Sequence, residues 1–256
     1  MTLKTIIYII IFLAFVIFHA IYRLKPYIAI YLIIKDLITN KDLIKNYQGY
    51  GFWLFCGLGG SGKSISMVEY AYRQHLRYPK LWIVSGLKSL SFANEYIDNW
   101  NDIVECENPN GVENGVLILL DEIHLTLSSD KWKNAPDNLL AYVSQQRKFH
   151  KHILSTSQVY ERVNIKLREQ TNYIIECVNL GNRWFFNKAF HTMDYAVNRD
   201  LKDNGMKKRT RAWRYNFIGT DQVRSLYDTY EIQIELDKQN KNIIDVERLV
   251  QLINDK

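Results

Sequence analysis

Cysteine is scarce: the 256 residues hold three, Cys56, Cys106 and Cys177. Their odd number and scattered spacing exclude a disulfide framework and the usual metal-ligand patterns. Three buried free thiols in a reducing compartment are the expectation. No internal repeat and no low-complexity run occurs, which sets aside repeat arrays and long disordered chains. Hydrophobic residues make up 47% and charged residues 23%, ordinary values for a packed core. A net charge of +6 suits phosphate or anionic lipid headgroups without choosing between them.

Charge is absent altogether from Ile6 to Tyr22, between Lys4 and Arg23. At about 1.5 Å per residue, such a stretch roughly matches the hydrocarbon core of a bilayer. No small-residue cleavage site follows it, which argues against a removed signal peptide. A buried core helix would be shorter and less uniformly apolar. The expectation is a single transmembrane helix. Arg23, Lys25, Lys35, Lys41 and Lys45 follow the segment, and only Lys4 precedes it. The positive-inside rule then places the N-terminus outside and the main domain in the cytoplasm. The next apolar stretch, 26–34, is too short to cross and is expected to open a helix over about 27–46, on the inner surface or the domain.

Phe52–Cys56 reads as a short buried strand. It leads into Gly57-Leu58-Gly59-Gly60-Ser61-Gly62-Lys63-Ser64 and then a helical pattern from Ile65 to about Arg77. This is the full G-x-x-x-x-G-K-[ST] loop in its strand–loop–helix setting. Gly57, Gly59, Gly60 and Gly62 let backbone N–H groups turn toward an anion, with Ser61 between them and the helix start at Ile65 adding partial positive charge. Lys63 reaches the β- and γ-phosphates of ATP, and the Ser64 hydroxyl ligates Mg²⁺.

Such a loop needs a carboxylate at the tip of a second buried strand. Val116–Leu120 followed by Asp121 and Glu122 supplies it. Asp121 is expected to hold Mg²⁺ through water, and Glu122 to act as general base on the attacking water. The adjacent glutamate favours hydrolysis over phosphoryl transfer to a small substrate. Gln158 ends a strand-like Ile153–Ser157 and is the candidate γ-phosphate sensor. Arg147, Arg162 and Arg168 are candidates for an arginine finger reaching a neighbouring subunit. His124, His150 and His152 form no metal-site pattern, and the last two are expected in a basic, exposed turn.

Leu81–Ser85 and Tyr173–Val178 read as further strands, giving an α/β fold with a mostly parallel sheet flanked by helices. Residues 179–182 predict a hairpin turn into Arg183–Phe190 and antiparallel edge strands. The densest basic cluster, Lys207–Arg214, surrounds Trp213 and could hold single-stranded nucleic acid by phosphate contact and stacking, or be a solvated face. The tail from about 240 to 256 predicts a short amphipathic helix. The domain expectation is an anchor at 1–25, a juxtamembrane helix or linker at 26–48, the P-loop ATPase domain at 49–236 and a helical tail at 237–256.

These motifs resemble the Zot-like ATPases, the filamentous-phage assembly proteins related to zonula occludens toxin. The likeness rests on GLGGSGKS, VLILLDEIH and QQRKFHKHILSTSQ, continues through Val159–Gly181, and ends at a short motif from Ser225 to Tyr230. It covers Phe52 to Tyr230, and its first two motifs are common to all P-loop ATPases. The resemblance implies an FtsK/HerA-like ATPase working at a membrane as a homo-oligomer, a hexameric ring among its options. Hydrolysis would drive phage DNA outward as it exchanges its binding protein for coat protein. Lys63, Ser64, Asp121 and Glu122 would form the hydrolytic site, with Gln158 at the γ-phosphate. The better-known members place their span after the ATPase domain and add an external domain. Here the span comes first with no external domain expected, which suits a single-membrane host. A DNA translocase or conjugative coupling ATPase, and a membrane scaffold switched by ATP, remain open alternatives.

Overall fold

The computed structural model describes residues 3–24, 26–39, 46–97, 100–123, 143, 145–195 and 210–228. The chain divides into two compact units, Met1–Asn46 and Tyr47–Lys256.

The first unit holds two helices, α1 (Leu3–Leu24) and α2 (Pro26–Thr39). Large apolar side chains of α1, among them Tyr8, Phe12, Phe15 and Phe18, are exposed. Among the described residues no helix is long and apolar enough to cross a membrane. The expected transmembrane helix therefore has no support beyond its sequence.

The second unit is built on one eight-stranded sheet. Its strands are β1 (Gly51–Cys56), β2 (Trp82–Ser85), β3 (Glu95–Tyr96), β4 (Val116–Leu120), β5 (Lys151–Ser157), β6 (Thr171–Leu180), β7 (Trp184–His191) and β8 (Arg211–Ile218). The order is β3-β2-β4-β5-β1-β6-β7-β8. The first six in that order run parallel, and β7 and β8 continue the sheet antiparallel. The P-loop strand β1 thus lies between β5 and β6, with β4 one place further out.

The central strands β1 and β4 are apolar almost throughout because both their faces are covered. In β4, Val116, Ile118 and Leu120 pack into one core with Ile103, Val104 and Ile153, while Leu117 and Leu119 point the other way. That second core is closed by α3 (Lys63–Arg77), whose Met67, Val68 and Ala71 are fully buried. At about 1.5–3 kcal/mol for each large apolar side chain removed from water, this face fixes α3 against the sheet. A short α4 (Trp100–Glu105) contributes Ile103 and Val104 to the first core. A six-residue α5 (Ile165–Gln170) precedes β6, and a single turn, α6 (Asp221–Arg224), follows β8.

Two expectations need correction. His152 is not in an exposed turn: β5 begins at Lys151, and both residues are buried in the middle of the sheet. The Lys151 amine donates to the carbonyls of Ile103 (3.2 Å) and Val104 (2.8 Å) near the end of α4, where helix carbonyls lack internal partners. His152 pairs with the Tyr47 hydroxyl and meets the Trp53 ring edge-on at 4.5 Å. His150 does sit in the turn before β5, with a left-handed φ of 49°. The second correction concerns Trp213. It belongs to β8 and packs on Trp53 (5.3 Å) and Tyr173 (5.8 Å), so its ring is engaged with the core rather than offered to a base.

The 179–182 hairpin forms as expected, with Asn182 in a left-handed conformation. Beyond it, however, β7 is not the edge, because β8 pairs along its outer side. His124, Lys207–Arg209, Tyr230 and the helix expected over 240–256 lie outside the described residues.

Candidate functional site

The loop after β1 is shaped for an anion by two left-handed glycines. Gly60 has φ 76° and Gly62 φ 88°. A Cβ on Gly62 would lie 2.5 Å from the Phe185 ring, so both backbone conformation and space demand glycine there. The Ser61 N–H closes a turn onto Leu58 O at 3.1 Å, and the Asn179 side-chain amide at the end of β6 donates to Gly60 O. α3 starts at Lys63, two residues earlier than the periodicity of its apolar positions suggests. Ile65 lies in its first turn, beside the loop.

Lys63 is 6% exposed, and its amine donates to Leu58 O at 3.2 Å. It also lies 3.9 Å from Glu122 Oε1. The Ser64 hydroxyl donates to Asp121, 2.9 Å from Oδ1 and 3.1 Å from Oδ2. Loop and acidic strand are thereby joined through their functional side chains across the intervening β5.

That intervening strand supplies a residue the sequence reading passed over. The Thr156 hydroxyl donates to Asp121 Oδ1 at 2.5 Å and accepts the Glu122 N–H at 2.8 Å. One side chain thus holds both acidic residues. Glu122 itself has φ 45°, a left-handed conformation that costs a non-glycine residue on the order of 1–3 kcal/mol and persists only where neighbours fix it. The signal for Thr156 was the polar run Ser155-Thr156-Ser157 following Ile153 and Leu154 at the end of a strand.

A cavity of about 530 Å³ opens over these groups. Gly59, Gly60, Gly62, Lys63, Ser64, Ile65, Asp121, Glu122 and Gln158 all line it, so the sequence-chosen residues converge, Arg147 apart, with Gly57 and Ser61 outside the lining. Those two line an adjoining cavity on the other side of the loop. Gln158 is met at 3.4 Å by Arg162 Nη1. Arg168 lies over the Tyr160 ring and Arg147 over Tyr50. Arg147 precedes β5 while Gln158 follows it, a separation of roughly 20 Å at about 3.3 Å per residue. It cannot serve the cavity of its own chain. Asn179, Asn182, Phe185, Arg224 and Tyr227 complete the lining; Asn179 and Asn182 were read only as a hairpin turn and Tyr227 only as part of the 225–230 motif, none of them as part of the site.

The donor set suits Mg²⁺: a hydroxyl and a carboxylate in direct contact offer hard oxygens, and this ion keeps water and phosphate oxygens as its remaining ligands. Among the described residues no group of three His, Cys, Asp or Glu side chains could hold a metal by itself. The three cysteines are free and buried. Burial pushes the Cys56 thiol up, Cys106 to about 11 and Cys177 to about 12. They stay protonated and are poor nucleophiles.

No family model and no curated protein matches the chain. Among solved structures it is similar to the N-terminal domain of zonular occludens toxin from Neisseria meningitidis, at 14% identity and a TM-score of 0.48. That match covers 71% of this chain and 100% of the other. It is also similar to B204, the DNA-packaging ATPase of Sulfolobus turreted icosahedral virus, at 10% identity and a TM-score of 0.41, covering 57% and 95%. A third, the flagellar accessory protein FlaH from Methanocaldococcus jannaschii, has 18% identity and a TM-score of 0.36, covering 55% and 77%. At these scores the likenesses carry no functional argument; the P-loop and the carboxylates facing it do.

Proposed function

We propose that this chain is a membrane-anchored ATPase motor that drives assembly and extrusion of a filamentous phage. The observation that carries the hydrolytic part is the meeting of Lys63, Ser64, Asp121, Glu122 and Gln158 around one cavity. The glycine-shaped loop binds the β-phosphate through its N–H groups, and Lys63 neutralises charge developing on the β- and γ-oxygens. Ser64 and Asp121 would hold Mg²⁺, which supplies Lewis-acid polarisation of the phosphate oxygens when bound. Glu122, held by Thr156, accepts the proton of the attacking water. Gln158, met by Arg162, would sense the γ-phosphate.

The membrane and extrusion parts rest on other support. The uncharged Ile6–Tyr22 segment suits an anchor with the N-terminus outside and the ATPase domain in the cytoplasm. The likeness of the loop, acidic strand and Gln158 segments to the Zot-like ATPases suits a phage motor. A homo-oligomer would let Arg147 reach a neighbour's nucleotide, and phage DNA and coat protein are the proposed partners. In cells whose only copy carries Lys63→Ala, the variant protein should accumulate to the normal level while particle release is lost. Normal release would overturn the proposal. Release lost only for DNA transfer, with no coat protein involved, would favour a DNA translocase instead.

A further inference from the structure

The cavity has two ends, and the sheet order decides what lies at each. The tips of β4 and β5 carry Asp121, Glu122 and Gln158. The β6–β7 turn and the segment after β8, on the opposite side of β1, carry Asn182, Arg224 and Tyr227. If the γ-phosphate points toward Glu122, the nucleoside must extend the other way, past Ile65.

That far rim is built rather than incidental. Arg183 Nη1 donates to Gly219 O at 2.9 Å and to Asp221 Oδ1 at 2.6 Å. The Gly219 N–H returns a bond to Arg183 O at 2.7 Å. Thr220 caps α6, accepting the Val223 N–H at 3.3 Å. Arg224 Nη2 then reaches across to Asn182 O at 2.9 Å. Below them Phe185 is buried, stacked on Phe217 at 4.8 Å and 12°. The arginine is exposed and fixed at one nitrogen, so its planar guanidinium is oriented in advance with further N–H groups to donate.

We propose that Arg224, with Asn182 and Tyr227, forms the nucleoside subsite and holds the base and ribose of a nucleoside triphosphate. This rests on the proposal that the loop binds a nucleotide. The guanidinium offers a flat cation for a base to stack on and donors for its edge or the ribose hydroxyls. Tyr227 supplies a half-buried aromatic wall.

The test compares Mg-ATP with Mg-tripolyphosphate, which presents the same phosphates without a nucleoside, by calorimetry on the full chain in detergent. Arg224→Ala should weaken ATP about tenfold, the scale of one lost base-stacking contact, and leave tripolyphosphate within about twofold. Arg224→Gln keeps a donor for Asn182 O and so preserves the rim; it should show the same selective loss. Lys63→Ala should lose both ligands. Equal weakening of both ligands by the Arg224 variants would mean that the arginine reads phosphate, and unchanged ATP binding would mean that it reads nothing; either overturns the subsite. Wild-type protein binding neither ligand would overturn the nucleotide proposal itself, and the subsite with it. Wild-type protein binding tripolyphosphate but not ATP would leave the phosphate loop standing and overturn the subsite alone.

Discussion

Thr156 shows how much of this site depends on a single hydroxyl. It donates to Asp121 and accepts from the Glu122 N–H, so Thr156→Val removes two contacts while nearly keeping the shape. Asp121 keeps the Ser64 hydroxyl, but the Glu122 N–H loses its Thr156 acceptor, a loss that costs about 1–3 kcal/mol. Turnover should therefore fall about ten- to hundredfold, with Thr156→Ser close to wild type. A valine variant as active as the wild type in steady-state ATP hydrolysis would show that the carboxylates need no such support. At this scale the sequence is legible where chemistry is local. The loop from Gly57 to Ser64 and the Asp121-Glu122 pair announce themselves, because each is contiguous and bounded by apolar strands. Thr156, Asn179 and Arg224 do not, because only the strand order brings them to the loop.

At the scale of elements, β5 is the most informative strand. It was recognisable from Ile153 onward by Ile153 and Leu154 followed by small hydroxyl residues, but its first two residues, Lys151 and His152, look like surface. They are buried because β4 and β1 flank the strand and both sheet faces are covered. Burial holds the His152 imidazole down, to about 3. The folded chain thus keeps it neutral while the unfolded chain takes up a proton below about 6.5. This contribution to stability is complete above pH 6.5 and is lost as the pH falls toward 3, at up to about 1.4 kcal/mol per pH unit. Denaturant midpoints measured across this range should fall less steeply for His152→Leu than for wild type, by about one proton. Identical slopes would contradict the burial of a neutral histidine. The edge of the sheet was less legible. Lys207–Arg214 reads as a basic aromatic patch, yet Trp213 alternates inward because β8 pairs with β7 and one of its faces meets Trp53 and Tyr173. Period-two alternation was present in Trp213, Tyr215 and Phe217, masked by Arg214 and Asn216 between them and the basic run before them.

At the scale of the molecule, the sheet order positions the site. Parallel strands place their C-terminal ends together, and the order β4-β5-β1-β6 gathers the acids, Thr156, Gln158, the loop and Asn179 at one edge. The alternation of strand and helix in the sequence implied a parallel sheet, but it could not say that β5 lies between the P-loop strand and the acidic strand. That insertion makes Thr156 a neighbour of both carboxylates. The mostly parallel core was thus expected from the apolar runs, while the antiparallel addition was only partly anticipated by the hairpin at 179–182.

Mg²⁺-dependent ATP turnover by the full chain in detergent, beside its Glu122→Gln variant, decides whether this site hydrolyses ATP. The variant keeps the shape of the side chain and removes the base. Steady turnover is expected of the wild type, with a loss of about 10²–10⁴-fold in the variant and ATP binding retained by both. Equal turnover by the two proteins would contradict the role of Glu122, and absence of ATP binding by the wild type would contradict the nucleotide site altogether.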